Sequence, residues 1–301
     1  MSSPAVTPPG RQGPGSVPGR LVERRGLDVA RRATGLLPGD RRAPGAGLGT
    51  ELAQLRPSRV GDDVRQLDAA ATARTGEPHV RLQVPERALT TWLVVDVSPS
   101  MAFGSAQRLK SDVAEGAGSV VARLAVRHGG RLGIVLAGGS VREPGPPRSG
   151  QAAAAAAREL LRRGVAADGA TDPRDLARAL ERVRRLARPD SLVVVVSDFR
   201  DAVDAKRVLS GIGARHSLVA LEVIDPREAS LPAMGHLSLV DPETGALVRV
   251  DTRQRAFRER FARAEAERRQ QLHDTLRRAR AEHIVLSTEG DWLRELGRRL
   301  R

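Results

Sequence analysis

Leu93-Val94-Val95-Asp96-Val97-Ser98-Pro99-Ser100-Met101 is an apolar, largely β-branched run that passes directly into Asp-x-Ser-x-Ser. Such a run reads as a buried strand. Its end places one carboxylate and two hydroxyls on a single turn at the strand's carboxyl end. Hard oxygen donors grouped in this way suit a divalent cation such as magnesium, which takes oxygen ligands and keeps part of its water.

Outward from this stretch, strand and helix patterns alternate. The strand spans 92–97, and Leu109, Val113, Ala117, Val120, Val121 and Leu124 predict a helix over about 106–128. A second strand covers 132–137, with a possible hairpin return at 141–143 after Gly138-Gly139. The alanine run 152–157 belongs to a helix ending near Gly164. Thr171-Asp172-Pro173-Arg174-Asp175 reads as a helix start, with Asp172 as N-cap and Pro173 in the first helical position. Leu176, Leu180, Val183 and Leu186 form that helix's buried face. The unbroken apolar run 192–196 reads as a central parallel strand covered on both faces, and it ends in Ser197-Asp198. A helix over about 201–212, a strand over 217–224, a hairpin of 236–240 with 246–250, a long helix over about 253–281, a strand over 283–287 and a last helix follow. Phe257, Phe261, Leu272 and Leu276 are expected to face inward from the long helix, and Trp292, Leu293, Leu296 and Leu300 from the last. The fold class is therefore α/β: a doubly wound, mostly parallel sheet with helices on both faces.

Upstream the character changes. Residues 1–19 are rich in Pro, Gly and Ser and read as a disordered arm. Residues 20–88 hold a short helix (Leu21, Leu27, Ala30, Ala33), a loop marked by Gly39, Gly45, Gly47 and Gly49, and a polar segment, expected to pack on the main domain at 89–301. In the polar segment, Asp62, Asp63, Arg65, Asp68 and Arg74 read as an ion-pair network fastening it to the sheet, with a partner-docking surface as the alternative. With 301 residues and 40% hydrophobic content the chain can bury a proper core. It has no cysteine, so disulfides, thiolate metal sites and a cysteine nucleophile are excluded. With no transmembrane-length apolar run and no signal-type start, it reads as cytoplasmic. The formal charge of +14 invites a nucleic-acid reading, but all but two of the 50 basic residues are arginine, the exceptions being Lys110 and Lys206. They are scattered over several helices, aromatics make up 2% and tyrosine is absent, so nucleic acid is not the expected ligand.

Open α/β sheets bind ligands at the carboxyl ends of their strands, near the switch in strand order. Three segments meet that description: Asp96, Ser98 and Ser100; the loop carrying Thr171; and Asp198 after the central strand. Each also has a plainer reading, because Asp, Ser and Thr after strands often cap helices. Asp96-x-Ser98-x-Ser100, Gly169-x-Thr171 and Ser197-Asp198 together resemble the three loops of a von Willebrand factor A-type domain. The resemblance covers roughly residues 89–301. It implies a metal-ion-dependent adhesion site in which Asp96, Ser98, Ser100, Thr171 and Asp198 hold magnesium, with manganese as the alternative, and a partner's Glu or Asp completes the metal's shell. The dipole of the helix after Gly104 would favour that incoming anion.

Gly61-Asp62-Asp63-Val64-Arg65, Asp68, Thr72-Ala73-Arg74-Thr75 and Pro78-His79-Val80-Arg81 sharpen the resemblance. So do Phe103-Gly104, Asp225-Pro226-Arg227-Glu228, Asp241-Pro242-Glu243-Thr244-Gly245, Ser287-Thr288 and Asp291-Trp292-Leu293. They are similar to the bacterial MoxR-associated group catalogued as domain of unknown function 58. The chain departs from that group at Ala69, where an aromatic is usual, and at Arg56-Pro57-Ser58, often Arg-Glu-Tyr. Many members also carry membrane helices ahead of this region. The resemblance implies a MoxR-type AAA+ ATPase as partner, together with a client protein that supplies the carboxylate.

Neither Ser98 nor Ser100 has a histidine in a predictable relation to it, and there is no G-x-x-x-x-G-K-[ST] loop, so the chain is not expected to be an enzyme. His79, His128, His216, His236, His273 and His283 lack zinc-like spacing and read as packed or surface residues. The expected function is a cytoplasmic, magnesium-dependent adaptor in the remodelling or maturation of a client complex. The alternatives are metal-assisted hydrolysis of a phosphate ester and arginine-driven binding to nucleic acid or anionic membrane.

Overall fold

The computed structural model describes residues 51–59, 62–84, 89–105, 108–138, 145–166, 172–200, 202–241 and 245–299. The expected arm, the helix at 20–37, the glycine-rich loop, the return at 141–143, Gly169, Thr171 and Leu300 lie outside the described residues. The chain forms two compact units, whose described residues are 51–84 and 89–299.

In the smaller unit, β1 (Glu51–Pro57) and β2 (His79–Val84) pair antiparallel, with a register shift between Leu52 and Gln54. Helix α1 (Ala69–Thr75) lies between them in sequence. Asp68 is its N-cap, its carboxylate accepting the Ala71 N–H at 2.8 Å. Asp63 accepts the Arg65 N–H at 3.0 Å, and Asp62 takes both Arg56 guanidinium nitrogens at 2.7 and 2.8 Å. These contacts of the acidic residues are local: two cap-type bonds and one arginine fork within the segment.

The larger unit is built on β3 (Thr90–Asp96), β4 (Arg131–Ala137), β5 (Arg148–Ser149), β6 (Leu192–Ser197), β7 (Ser217–Ile224) and, after a separate hairpin of β8 (His236–Val240) and β9 (Leu247–Asp251), β10 (Glu282–Ser287). The sheet order is β10-β7-β6-β3-β4-β5, parallel except for the two-residue edge strand β5. This is the doubly wound α/β sheet expected from the sequence.

The alternation of the opening strand shows how both faces are covered. Leu93 and Val95 enter a core with Val113, Ala117, Leu161 and Trp292, from α2 (Lys110–Ala125), α3 (Gln151–Leu161) and α7 (Trp292–Arg299). Trp92 and Val94 enter the opposite core with Leu180, Leu209 and Leu276, from α4 (Asp175–Leu186), α5 (Ala202–Gly213) and α6 (Arg255–Arg278). Each such aliphatic side chain contributes about 1.5–3 kcal/mol by leaving water.

Several boundaries differ from expectation for local reasons. Helix α2 starts at Lys110, not near 106; the Lys110 N–H donates to the Phe103 carbonyl at 2.8 Å, just after the 3-10 turn at Pro99–Ala102. The Asp112 carboxylate then accepts the Leu109 N–H at 2.9 Å and closes the first turn. Helix α4 starts at Asp175 rather than Pro173, since Asp172 folds into a turn of its own and accepts the Arg174 N–H at 2.8 Å. In α6, Leu272 and Leu276 are buried, but Phe257 and Phe261 are only half-buried, because the second half of the helix is the part that packs on the sheet. Among the described residues no helix is long and apolar enough to cross a membrane.

The chain runs from β3 to β4 on one side, then continues into β6 on the other side of β3. The switch in strand order therefore falls between β3 and β6, and their carboxyl ends carry Asp96 and Asp198.

Candidate functional site

The turn after β3 is pinned by its backbone. The Val97 N–H donates to the Ala137 carbonyl at 2.7 Å, and the Val97 carbonyl accepts the Ala166 N–H at 2.7 Å. Gly138 follows with φ +112, and a Cβ there would stand 2.9 Å from the Ser98 nitrogen. Only glycine lets the neighbouring strand pass this turn so closely. Asp96 Oδ1 accepts the Ser98 N–H at 2.9 Å, which folds the Asp-x-Ser segment back on itself. Asp96 Oδ2 accepts the Ser197 hydroxyl at 2.6 Å, tying the ends of β3 and β6 together. Ser98 Oγ and Ser100 Oγ lie 3.0 Å apart.

Asp198 is set by a tight turn. Phe199 is buried and takes a left-handed conformation, φ 52, unusual for so bulky a residue. Its N–H donates to Ser197 Oγ at 2.9 Å, and the Arg200 N–H donates to Asp198 Oδ1 at 3.1 Å. Asp198 Oδ2 accepts the Lys110 ammonium at 2.6 Å, and the same ammonium donates to Glu228 Oε1 at 2.7 Å. The Arg200 guanidinium reaches Glu228 at 3.0 Å and comes within 3.8 Å of both Asp198 and Glu265. Glu228 belongs to the 3-10 turn Pro226–Glu228, capped by the buried Asp225. Asp225 accepts the Thr288 hydroxyl at 2.7 Å and both the N–H and hydroxyl of Ser105. That loop is thereby joined to the segment after the Ser98–Ser100 turn.

Asp96, Ser98, Ser100 and Asp198 are all buried, yet the two carboxyls titrate in opposite directions. Burial, reinforced by the charge of Asp198, pushes Asp96 up to about 6. Burial also opposes ionisation of Asp198, but the charges of Lys110 and Arg200 outweigh it and hold that carboxyl below the usual range. Burial works against the Lys110 ammonium, and Asp198 and Glu228 more than offset it, so its pKa is raised.

Four of the five site residues expected from the sequence thus meet at adjacent strand ends; the fifth, Thr171, lies outside the described residues. Their chemistry fits a hard cation. Adjacent oxygens around a magnesium ion bonded at about 2.1 Å are about 3 Å apart, which is the spacing of the two serine hydroxyls. Among the described residues no three His, Cys, Asp or Glu gather at one point to share a metal, so a cation here would depend on hydroxyls as much as on carboxylates.

Sequence reasoning missed Lys110 and Arg200 as parts of the site, and it named Ser197 and Glu228 only within motifs, without a role. Lys110 did carry a signal, being one of only two lysines in a chain whose other basic residues are all arginine. A separate cavity of about 360 Å³, lined by Trp92, Arg131, Pro147, Leu186 and Arg188 among others, shares none of the site's residues.

The family described as protein of unknown function DUF58 matches residues 54–271. An uncharacterized protein of Mycobacterium tuberculosis (strain ATCC 25618 / H37Rv) is 38% identical over 273 residues, covering 90% of this chain and 85% of that protein. An uncharacterized protein of Mycobacterium avium is 38% identical over 124 residues, covering 41% of this chain and 73% of that protein. Among solved structures, the conserved hypothetical protein BatB from Bacteroides thetaiotaomicron is 14% identical, with a TM-score of 0.44, covering 70% of this chain and 97% of that one. A von Willebrand factor type A protein from Catenulispora acidiphila is 16% identical, with a TM-score of 0.42, covering 72% of this chain and 43% of that one. The sheet itself places Asp96 and Asp198 on adjacent strand ends at the switch in strand order.

Proposed function

The chain belongs to the protein-of-unknown-function DUF58 family, and from that premise we propose that its larger unit is a magnesium-dependent protein-binding module, not an enzyme. One observation carries the reading: two serine hydroxyls 3.0 Å apart sit on a turn fixed by Asp96, beside Asp198 on the neighbouring strand end. Ser98 and Ser100 would hold magnesium through neutral oxygens, Asp96 and Asp198 would supply the negative charge, and Thr171 would add a further oxygen. A bound magnesium would offer a coordination position to a carboxylate from a partner protein. Asp96 orients the turn through the Ser98 N–H, and Ser197 orients Asp96 in turn.

In this proposal the partner is a MoxR-type AAA+ ATPase working on a client complex in the cytoplasm, with the client or the ATPase supplying the carboxylate. The motif segment before the sheet supports that pairing through its likeness to MoxR-associated proteins. The test is capture of the purified ATPase from the same organism by the full chain, with magnesium and with EDTA, for wild type and Asp96→Ala. Capture should require both magnesium and Asp96; capture indifferent to EDTA would overturn the reading.

A further inference from the structure

Lys110 is the first residue of α2, and its side chain is 0% exposed. An ammonium has three donors and no acceptor. Here two of its directions end on carboxylates, Asp198 at 2.6 Å and Glu228 at 2.7 Å. The ring of Phe103 stands with its centroid 5.9 Å from Nζ, within reach of a cation–π contact. In a chain that otherwise uses arginine almost throughout, this position holds lysine. The distinction is physical: guanidinium is a broad planar fork, ammonium a compact point charge. A point charge shared between a buried carboxylate, Asp198, and a partly buried one, Glu228, is also what a bound metal ion provides.

Among the described residues, the bonded partners of Asp96 include no such cation. Its carboxylate accepts from the Ser98 N–H and hydroxyl and from the Ser197 hydroxyl. Asp198 is therefore the contested carboxylate of the pair. Lys110 can let go of it without being stranded, because Glu228 remains as a second acceptor fixed in its own turn.

We propose that Lys110 sets the affinity of the candidate site, as a tethered cation that competes with a divalent ion for Asp198. The inference rests on the metal-dependent reading above. Lys110 lowers affinity by neutralising Asp198 and by repelling a second positive charge beside it. Glu228 acts in the opposite sense, drawing the ammonium and the Arg200 guanidinium toward itself. Lys110 is thus a positioning residue, acting on the cation through the carboxylate it holds.

The test is calorimetric titration of Mg²⁺ alone into the full chain, for wild type, Lys110→Met and Glu228→Gln, with thermal melts to identify folded protein. Lys110→Met should bind Mg²⁺ at least tenfold more tightly, and Glu228→Gln several-fold more weakly. A purely structural bolt between α2 and the strand ends would weaken binding in both variants, so the opposite signs identify the competition. Unchanged or weaker binding by folded Lys110→Met would overturn the inference while leaving the metal-dependent reading in place. If Lys110→Met does not fold, Glu228→Gln decides, and unchanged or tighter binding there would overturn the inference. Absence of Mg²⁺ binding in folded wild type and folded Lys110→Met alike would sink the metal-dependent reading, and the inference with it.

Discussion

Asp96 and Asp198 stand at the ends of adjacent parallel strands, are buried to a similar degree, and are each followed by a turn in which their own carboxylate accepts a backbone N–H. Their electrostatics nevertheless diverge. Among the described residues Asp96 meets neutral donors, and it is pushed up to about 6 by burial and by its neighbour's charge. Asp198 meets Lys110 and Arg200, whose charges outweigh its burial and keep it ionised into acid. The groups responsible come from the start of α2, from the turn after β6 and, through Glu228, from the loop after β7. One side of the site still has a use for a cation, and the other already holds one. Two residues with the same local motif chemistry can thus play different parts, because what the fold brings to them differs.

The largest effect should come from stripping the compensated side. Lys110→Met leaves the buried Asp198 and the partly buried Glu228 with one cation fewer, and breaking the buried Lys110–Asp198 pair costs about 3–5 kcal/mol. Chemical denaturation at neutral pH should show a loss of that size. A loss below about 1 kcal/mol would mean that Arg200 alone compensates both carboxylates and that the two sides differ less than the geometry indicates.

Asp96→Asn tests the uncompensated side. The amide can still accept the Ser98 N–H and can donate to Ser197 Oγ, so the turn should persist. Mg²⁺ binding should fall at least a hundredfold, about 2.8 kcal/mol. The pH dependence should change as well. Asp96 has a folded pKa raised above its unfolded value of 3.8. Its contribution to stability is therefore full below about pH 4 and is lost as pH rises through about 6. Asp198 has the opposite sign, with stability present above about pH 4 and lost as pH falls through its lowered pKa. In Asp96→Asn the loss of stability between about pH 4 and 6 should disappear, whereas the acid-side loss should remain. In wild type, Mg²⁺ affinity should weaken below about pH 6, where the proton competes for Asp96. A wild-type stability profile flat over this window would remove the electrostatic contrast between the two carboxyls.

A smaller effect is expected from the backbone beneath the Asp96 turn. Gly138→Ala places a Cβ 2.9 Å from the Ser98 nitrogen at φ +112. That strain should cost about 1–3 kcal/mol. It should also weaken Mg²⁺ binding by displacing Ser98, with no change in the titration of Asp198.

The sheet was legible because its strands carry both a pattern and punctuation. The run into Asp96 and the run into Asp198 are apolar, β-branched and end in polar turns. The two strand ends could be matched because such sheets bring them together at the switch in strand order. Lys110 was not legible as part of the site, since its role arises from a helix that begins four residues later than periodicity placed it. Glu228 and Arg200 were hidden for the same reason: they sit in turns whose direction depends on caps such as Asp225 and on the left-handed Phe199. Asp172 shows the limit in another form. Its sequence context suits an N-cap, but a local turn takes its carboxylate and the helix starts three residues further on. Helix periodicity fixes which face is buried far better than it fixes where the first turn begins.

Ser100→Ala is expected to have the smallest effect, and it separates charge from coordination on the Asp96 side. The substitution removes one neutral oxygen 3.0 Å from Ser98 Oγ and alters no formal charge. Ser100 lies within the 3-10 turn Pro99–Ala102, and the substitution leaves the turn's backbone bonds from Met101 to Ser98 and from Phe103 to Ser100 in place, so the fold should lose about 1 kcal/mol. Mg²⁺ affinity should drop about tenfold, equivalent to about 1.4 kcal/mol. The weakening below about pH 6 should be the same as in wild type, because that feature belongs to Asp96. A drop as large as that of Asp96→Asn would show that the hydroxyl pair, rather than the uncompensated carboxylate, governs binding. No drop at all would show that the 3.0 Å spacing of the two hydroxyls reflects a capped turn and not a coordination edge. Either result would reduce the contrast between Asp96 and Asp198 to a difference in titration alone.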